Sequence, residues 1–565
     1  MIKHIKPIAI VLAGSFMLSG CGSSAPALVS TPIENIDATP LKNIPLSEDE
    51  YKAWGAADLA TDTIPGMSVN KAYAELLQGR QGQTVIVGVI DSGVDIEHED
   101  LASVIWRNSD EIPNNGKDDD KNGYIDDIHG WNFLGDAVKE NMEYVRIIKK
   151  LKPKYEGKTE ASVAAENLAE FKLYKRAQAE YDKEYKEAFE TKQYYENLLN
   201  QLNMADKAIS AKLGKENYTL KELNAMEADT EELKNYKGFL LQVMNNIGED
   251  LEDAREQLKG GIDYYAGRLN SHFNMDLDGR AVVGDNVEDL TDTNYGNNDV
   301  DGPDPKKEDA MHGTHVAGII AAARNNGKGI DGVADNAKIM VLRAVPDGDE
   351  YDKDIALAIR YAVDNGAKVI NSSFGKYFST NPEWVMDAIA YAAKKDVLIV
   401  NAAGNEGLDL DTTQVYPNDQ TPTNGQEISD TFLTVGALNY KYGSELVAGF
   451  SNYGKTNVDV FAPGTKIWST TPLDEYEFLQ GTSMAAPAVA GLAATVRSYF
   501  PKLSATQVKE IIIQSGLPTT TSVVVSGDPS KQAKFADLSV SGRMANLYNA
   551  LLLADKVSRK EVKLN

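Results

Sequence analysis

The chain has 565 residues, 84 of them acidic and 57 basic, for a formal net charge of −27. A surplus of that size repels phosphate backbones, which argues against a nucleic-acid partner, and it attracts cations. The length exceeds what one hydrophobic core organises and predicts one large domain plus an insertion, while the single cysteine excludes an intramolecular disulfide.

Lys3 and Lys6 precede an apolar stretch over residues 8–18, which runs into Leu18-Ser19-Gly20-Cys21-Gly22. The stretch is too short to span a bilayer, and its charged, apolar, then small-residue order reads as a leader. Residues 1–20 resemble a bacterial lipoprotein signal. That resemblance implies cleavage before Cys21 and acylation of that residue, with the protein lipid-anchored in the bacterial cell envelope, at the outer membrane or cell surface. Residues 21–64 are rich in Ser, Ala, Thr and Pro and read as a lipidated tether with at most a short helix near residues 48–60. Gly66-Met67-Ser68-Val69 then opens a helix into the main domain, with no separate folding pro-domain expected before it.

Thr84-Val85-Ile86-Val87-Gly88-Val89-Ile90 has the β-branched pattern of a strand buried on both faces, and it ends in Asp91. An acid at a buried strand's end needs a partner. Farther on, Asp118, Asp120, Asn122, Tyr124 and Asp126 fall on a D-x-D-x-N-G-x-x-D spacing, with Gly123 supplying the sharp turn of a calcium loop. His129 stands where a full EF-hand has Glu, and a solvated acidic turn is the competing reading. Asn325-Asn326 marks a second candidate for calcium, the only cofactor expected; no organic cofactor is implied.

Over residues 136–275 the composition shifts to Lys, Glu, Ala, Tyr and Leu. Phe171, Tyr174, Gln178, Tyr181, Tyr185, Ala188, Lys192, Tyr195, Leu199 and Leu202 recur at a period of about 3.5 residues, the spacing of a coiled coil. A second run from Leu233 to Leu258 predicts an antiparallel partner. The insertion therefore reads as a self-contained helical hairpin whose first helix reaches about 50 to 60 Å at about 1.5 Å per residue. Its tyrosines read as seam packing, and Thr219-Leu220-Lys221-Glu222 has the form of a capping box.

The chain has six histidines. Two fall in His312-Gly313-Thr314-His315-Val316-Ala317-Gly318, where a histidine opens a small-residue helix. Strand and helix then alternate through residue 400, which predicts a parallel sheet with helices on both faces. Gly481-Thr482-Ser483-Met484-Ala485-Ala486-Pro487 places a serine at the first turn of a tightly packed helix. Its hydroxyl suits a nucleophile, and the unpaired N–H groups of that turn suit an oxyanion.

With Asp91, His312 and Ser483 in that order, the chain resembles the subtilisin-like serine proteases, the subtilases, over residues 65–135 and 276–565. The resemblance implies an α/β fold with a subtilisin-like parallel sheet, here carrying an inserted α-helical, coiled-coil-like hairpin. It further implies peptide-bond hydrolysis of protein or peptide substrates, with Ser483 the nucleophile, His312 the base and Asp91 its orienting acid. Asn405 matches the family's oxyanion residue and Asp100 a position that often ligates calcium. Ser373, Phe374 and Gly375 match the substrate-pairing strand, and Ala402, Ala403 and Gly404 the segment facing it. His315 is assigned a structural role. Two other classes stay open: a catalytically silent surface-binding module, and a hydrolase of small esters.

Overall fold

Short aliphatic runs form the strands of the main sheet, and alternation along each run feeds two cores at once. Val85, Val87 and Val89 face one core and Ile90 the other. The computed structural model describes residues 26–42, 44–246, 251–421 and 425–564. The leader and the candidate lipidation residue Cys21 lie outside the described residues. Among the described residues thirteen strands occur: β1 (Val85–Asp91), β2 (Gly130–Asn132), β3 (Ala337–Arg343), β4 (Val369–Ser372), β5 (Leu398–Ala402), β6 (Phe432–Leu438), β7 (Val460–Pro463), β8 (Ile467–Thr471), β9 (Glu475–Leu479), β10 (Leu517–Pro518), β11 (Ser522–Val525), β12 (Asp528–Lys534) and β13 (Arg543–Met544). Nine form one sheet in the order β10-β13-β7-β6-β5-β4-β1-β3-β2. Its pairs are parallel except β10 with β13, and Val89 at the centre lies opposite Val341 and Asn371.

The helices are α1 (Glu48–Ala53), α2 (Leu59–Asp62), α3 (Val69–Ala72), α4 (Glu143–Tyr155), α5 (Leu168–Leu213), α6 (Leu220–Ala225), α7 (Glu231–Asn246), α8 (Leu251–Asn270), α9 (Met311–Ala321), α10 (Asp352–Asp364), α11 (Pro382–Lys394), α12 (Thr482–Tyr499), α13 (Ala505–Ser515) and α14 (Leu547–Ser558). The apolar faces of α9, α12, α13 and α14 fill one side of the sheet, and those of α10 and α11 the other. This is the α/β architecture that the alternation of strand and helix predicts.

Residues 26–64 differ from the tether expected of their composition. The Ile33 N–H donates to Asn549 Oδ1 at 2.8 Å, Asn549 Nδ2 returns a bond to Ile33 O at 2.9 Å, and Ile36, Trp54 and Leu59 are buried. Asp37 accepts from the hydroxyls of Thr519 and Thr520, beside β11. Pairing with a segment some five hundred residues away leaves no local periodicity to read.

The helical segment between β2 and α9 is also more than a hairpin. α5 runs for 46 residues, about 69 Å at about 1.5 Å per residue, and the second predicted run is divided between α7 and α8. Phe171, Tyr174 and Ala188 bury the seam near the sheet domain, while Leu202, Ala205 and Ile209 join Leu223, Leu240, Met244 and Ala254 in a separate distal core. The tyrosines pack: Tyr181 and Tyr185 lie at ring distances of 6.5 and 6.3 Å from Phe273. Thr219 and Glu222 form the predicted capping box at the start of α6.

The root of this arm lies inside the sheet domain, contrary to the self-contained hairpin expected from its heptads. Phe378, which follows β4, is 4 % exposed and lies 5.6 Å from the ring of Tyr144 on α4. Lys376 pairs with Glu143 at 3.3 Å, and Arg146 of α4 donates to Asp349 O and Glu350 O at 2.8 and 3.0 Å.

Candidate active site

β1 ends at the carboxyl edge of the sheet, where the crossovers of a parallel sheet leave a crevice. Its last residue, Asp91, is 2 % exposed, and Oδ1 accepts from His312 Nδ1 at 2.7 Å and from the Ser92 N–H at 2.8 Å. His312 is the second residue of α9, and the next position explains how the helix comes so near. A Cβ on Gly313 would stand 2.1 Å from Gly93 O and 3.1 Å from Asp91 Cβ.

The His312 side chain stays 39 % exposed. Burial lowers its pKa, but the charge of Asp91 and the hydrogen bond to it outweigh that and hold it above 6.5. With Nδ1–H committed to Asp91, Nε2 is the basic nitrogen of the neutral ring. His315 differs: its Nε2 faces Ile467 O and Glu477 O, both at 3.1 Å, and burial drives its pKa down to about 4. A ring held neutral against two carbonyls is a structural group.

Ser483 is the second residue of α12, in the turn whose N–H groups have no intrahelical acceptor. Its hydroxyl donates to Ser373 O at 3.2 Å, and Ser373 Oγ donates to Ser483 O at 2.9 Å. Among the described residues no hydrogen bond joins Ser483 Oγ to His312. Asn405 Oδ1 accepts from the Thr482 N–H at 2.8 Å and from Thr482 Oγ1 at 3.1 Å. That pair fixes the amide's orientation, with Oδ1 the atom that faces the first turn of α12. Ser373, Phe374 and Gly375 share a cleft of 870 Å³ with Asp91 and His312, while Ala402 and Ala403 line a cavity of 250 Å³ with Val415 and Pro417. Gly404 lies between Ala403 and the fixed Asn405, with φ +100°.

The predicted calcium loop folds differently from its spacing. Asp118 accepts from the Asn122 and Gly123 N–H groups at 3.1 and 2.9 Å, and Asp126 from those of Asn115 and Gly116 at 3.1 and 2.8 Å. The Tyr124 ring packs on Trp131 and Tyr361 at 5.0 and 4.9 Å. Asp120 instead converges with Glu111 and Asp127, ligand atoms lying within 4.8 Å of one another, and Asn122 Nδ2 bonds both Asp120 and Asp127. Glu111 is 4 % exposed and its Oε2 is buried without a partner. Burial raises the Asp127 pKa to about 6. Three carboxylates with an orphaned oxygen fit a hard cation such as calcium. Asp100 lies elsewhere, bonded to Asn326 Nδ2 at 2.5 Å.

Sequence reasoning missed Thr482, Glu406 and Asn452, which set Asn405 and Gly404 in place, and the ligand candidates Glu111 and Asp127. Adjacency was a usable signal for three of them, since Thr482 precedes Ser483, Glu406 follows Asn405 and Asp127 follows Asp126. Asn452 and Glu111 carry no local mark.

The profile of the Subtilase family matches residues 82–536, and the chain belongs to that family. It is 41 % identical over 239 residues to the thermophilic serine proteinase of Bacillus sp. (strain AK1), covering 42 % of this chain and 50 % of that protein. Thermitase of Thermoactinomyces vulgaris is 37 % identical over 188 residues, 33 % of this chain and 61 % of that protein. The cell wall-associated protease of Bacillus subtilis (strain 168) is 36 % identical over 221 residues, 39 % of this chain and 23 % of that protein. The matches thus span 61 % or less of the length of these relatives.

Proposed function

We propose that this chain is a serine endopeptidase whose triad is Asp91, His312 and Ser483. The observation that carries the reading is the 2.7 Å bond from His312 Nδ1 to the buried Asp91 carboxylate, in a cleft shared with residues 373–375. Ser483 Oγ leaves Ser373 O, donates to His312 Nε2 and attacks the scissile carbonyl, and the imidazolium then protonates the leaving amine while Asp91 stabilises it. Asn405 Nδ2 and the Ser483 N–H stabilise the oxyanion. An extended substrate pairs its backbone with residues 373–375 on one side and residues 402–404 on the other.

Calcium held by Glu111, Asp120 and Asp127 stabilises the loop that joins β1 to β2. Residues 136–275 are an insertion whose projecting arm selects among bulky substrates. The enzyme is anchored in the cell envelope by acylation at Cys21. Supporting that location, one relative is a cell wall-associated protease. Two acyl chains hold a protein where one is marginal.

Labelling with a fluorophosphonate and hydrolysis of a denatured protein test the reading together. The parent chain is expected to do both and Ser483→Ala neither, with unchanged circular dichroism. Unchanged turnover by Ser483→Ala overturns the triad, and a parent chain that is never labelled favours the silent binding module.

A further inference from the structure

Tyr377 and Glu406 take no part in the chemistry just described, yet they join the two segments that line the substrate. Tyr377 stands two residues after Gly375, and Glu406 follows Asn405. The Tyr377 hydroxyl donates to Glu406 Oε2, the same oxygen that accepts from the Asn405 N–H at 2.8 Å. Asn452 closes the ring of bonds. Its Nδ2 donates to Tyr377 Oη at 3.3 Å and to Ala403 O at 2.8 Å, and its Oδ1 accepts from the Glu406 N–H at 3.2 Å. The fit leaves no room at Gly404, where a Cβ would lie 2.4 Å from Asn452 Nδ2. Asn405 is therefore fixed at its side chain by Thr482 and at its backbone by Glu406.

The other side of Tyr377 belongs to the helical arm. Arg176 on α5 donates from Nη2 to Tyr377 O at 2.6 Å, and its guanidinium lies 4.1 Å over the Phe378 ring. Residues 376, 377 and 378 thus touch the arm in succession, through Glu143, Arg176 and Tyr144. A continuous set of contacts runs from α5 through Tyr377 and Glu406 to Asn405.

We propose that Tyr377 and Glu406 are positioning residues that set the Asn405 amide for the oxyanion, and that the arm acts on the reaction by holding Tyr377 through Arg176. The inference rests on Asn405 being an oxyanion donor. A donor of that kind works only within about 2.7 to 3.1 Å of the developing charge, and a misplacement of about 1 Å costs about 10²-fold. The arm is then part of how the site is tuned as well as a projection beside it.

The test is steady-state hydrolysis of one short peptide substrate by the full chain, with active sites counted by fluorophosphonate so that kcat is per competent enzyme. Asn405→Ala is expected to lower kcat by about 10² to 10³ with KM within about twofold, a magnitude taken from a member of this family. Tyr377→Phe and Glu406→Ala are expected to lower kcat by about 10-fold to 10² with the same KM, and Glu406→Gln, which keeps an acceptor, to recover most of it. Arg176→Ala is expected to lose about 3-fold to 10-fold and Arg176→Lys to regain it. Asn405→Ala combined with Tyr377→Phe is expected to be no slower than Asn405→Ala alone, because the tyrosine acts through the asparagine. A wild-type kcat in Asn405→Ala overturns the oxyanion reading and this inference with it. A slow Asn405→Ala beside a wild-type Tyr377→Phe, or losses that multiply in the double variant, overturns the positioning role alone. A wild-type Arg176→Ala beside a slow Tyr377→Phe removes the arm from the proposal.

Discussion

The helices that carry His312 and Ser483 and the helices of the arm both contain glycine, in settings that mostly differ. In α9 and α12, a Cβ on Gly313, Gly318 or Gly491 would meet a neighbouring atom at 2.1, 2.2 or 2.7 Å, whereas Gly238, Gly260 and Gly267 in α7 and α8 have nothing within 4 Å. The catalytic helices are placed by contact of backbone with backbone or with short side chains, which tolerates no added atom. The arm is placed by side-chain seams: three of the four glycines of α7 and α8 face open space, and the fourth, Gly261, packs on the Tyr195 ring, where a Cβ would lie 2.7 Å away. Position at the active site is thus set to within a methyl group, while position along the arm is set by cores that can repack.

The largest expected effect breaks the tighter of the two. Gly313→Ala forces α9 away from β1 and separates His312 from Asp91, with an expected loss of about 10² or more in kcat. Because Asp91 raises the His312 pKa, losing that contact is expected to move the acid limb of kcat/KM to lower pH in this variant than in the parent chain. A pH profile with an unmoved limb and full kcat would show that the close approach is not what positions the histidine.

In the arm, Leu240→Ala opens a cavity in the distal core and is expected to cost about 2 to 5 kcal/mol of local stability. Hydrogen exchange of the α7 and α8 amides reads that loss, while hydrolysis of a short peptide stays at the parent rate. Slower hydrolysis would mean that the distal core, and not only the arm's root, is coupled to the site.

Calcium is expected to raise the unfolding free energy of the sheet domain by about 2.7 kcal/mol at a hundredfold excess over its dissociation constant. Glu111→Gln removes that response and Asp118→Asn leaves most of it, since Asp118 caps backbone N–H groups. A melting temperature indifferent to both chelator and added calcium contradicts the site. The smallest effect is a gain: Gly260→Ala is expected to stabilise the arm by about 0.4 to 1 kcal/mol by restricting the unfolded chain. A loss at that position would mean that something packs on the open face of α8.

Several elements follow from local sequence. Asp91 at the end of a β-branched run, His312 and Ser483 opening small-residue helices, and the capping box at Thr219 each draw their geometry from neighbours within a few residues, so composition and spacing are enough. The heptad seam of α5 is local in the same way, and its buried members Phe171, Tyr174, Ala188 and Leu202 stand where the period places them. Spacing carried less at the acidic loop, where the D-x-D-x-N-G pattern includes Asp120 and Asn122 but does not say which other carboxylates converge on them. Loop carboxylates are equally suited to capping N–H groups or to converging, and only the fold around Glu111 and Asp127 chooses between them.

What the sequence by itself determined, then, is the chemistry at each element's end and the family to which the chain belongs. The tertiary structure decided which ends meet. Docking of residues 26–64 on α14, burial of Phe378 by the arm's root, and the path from Arg176 through Tyr377 to Asn405 join residues from about 30 to 500 positions apart. Such contacts come from packing of whole elements, whose relative placement depends on volumes summed over a core and leaves no periodic trace in any one segment.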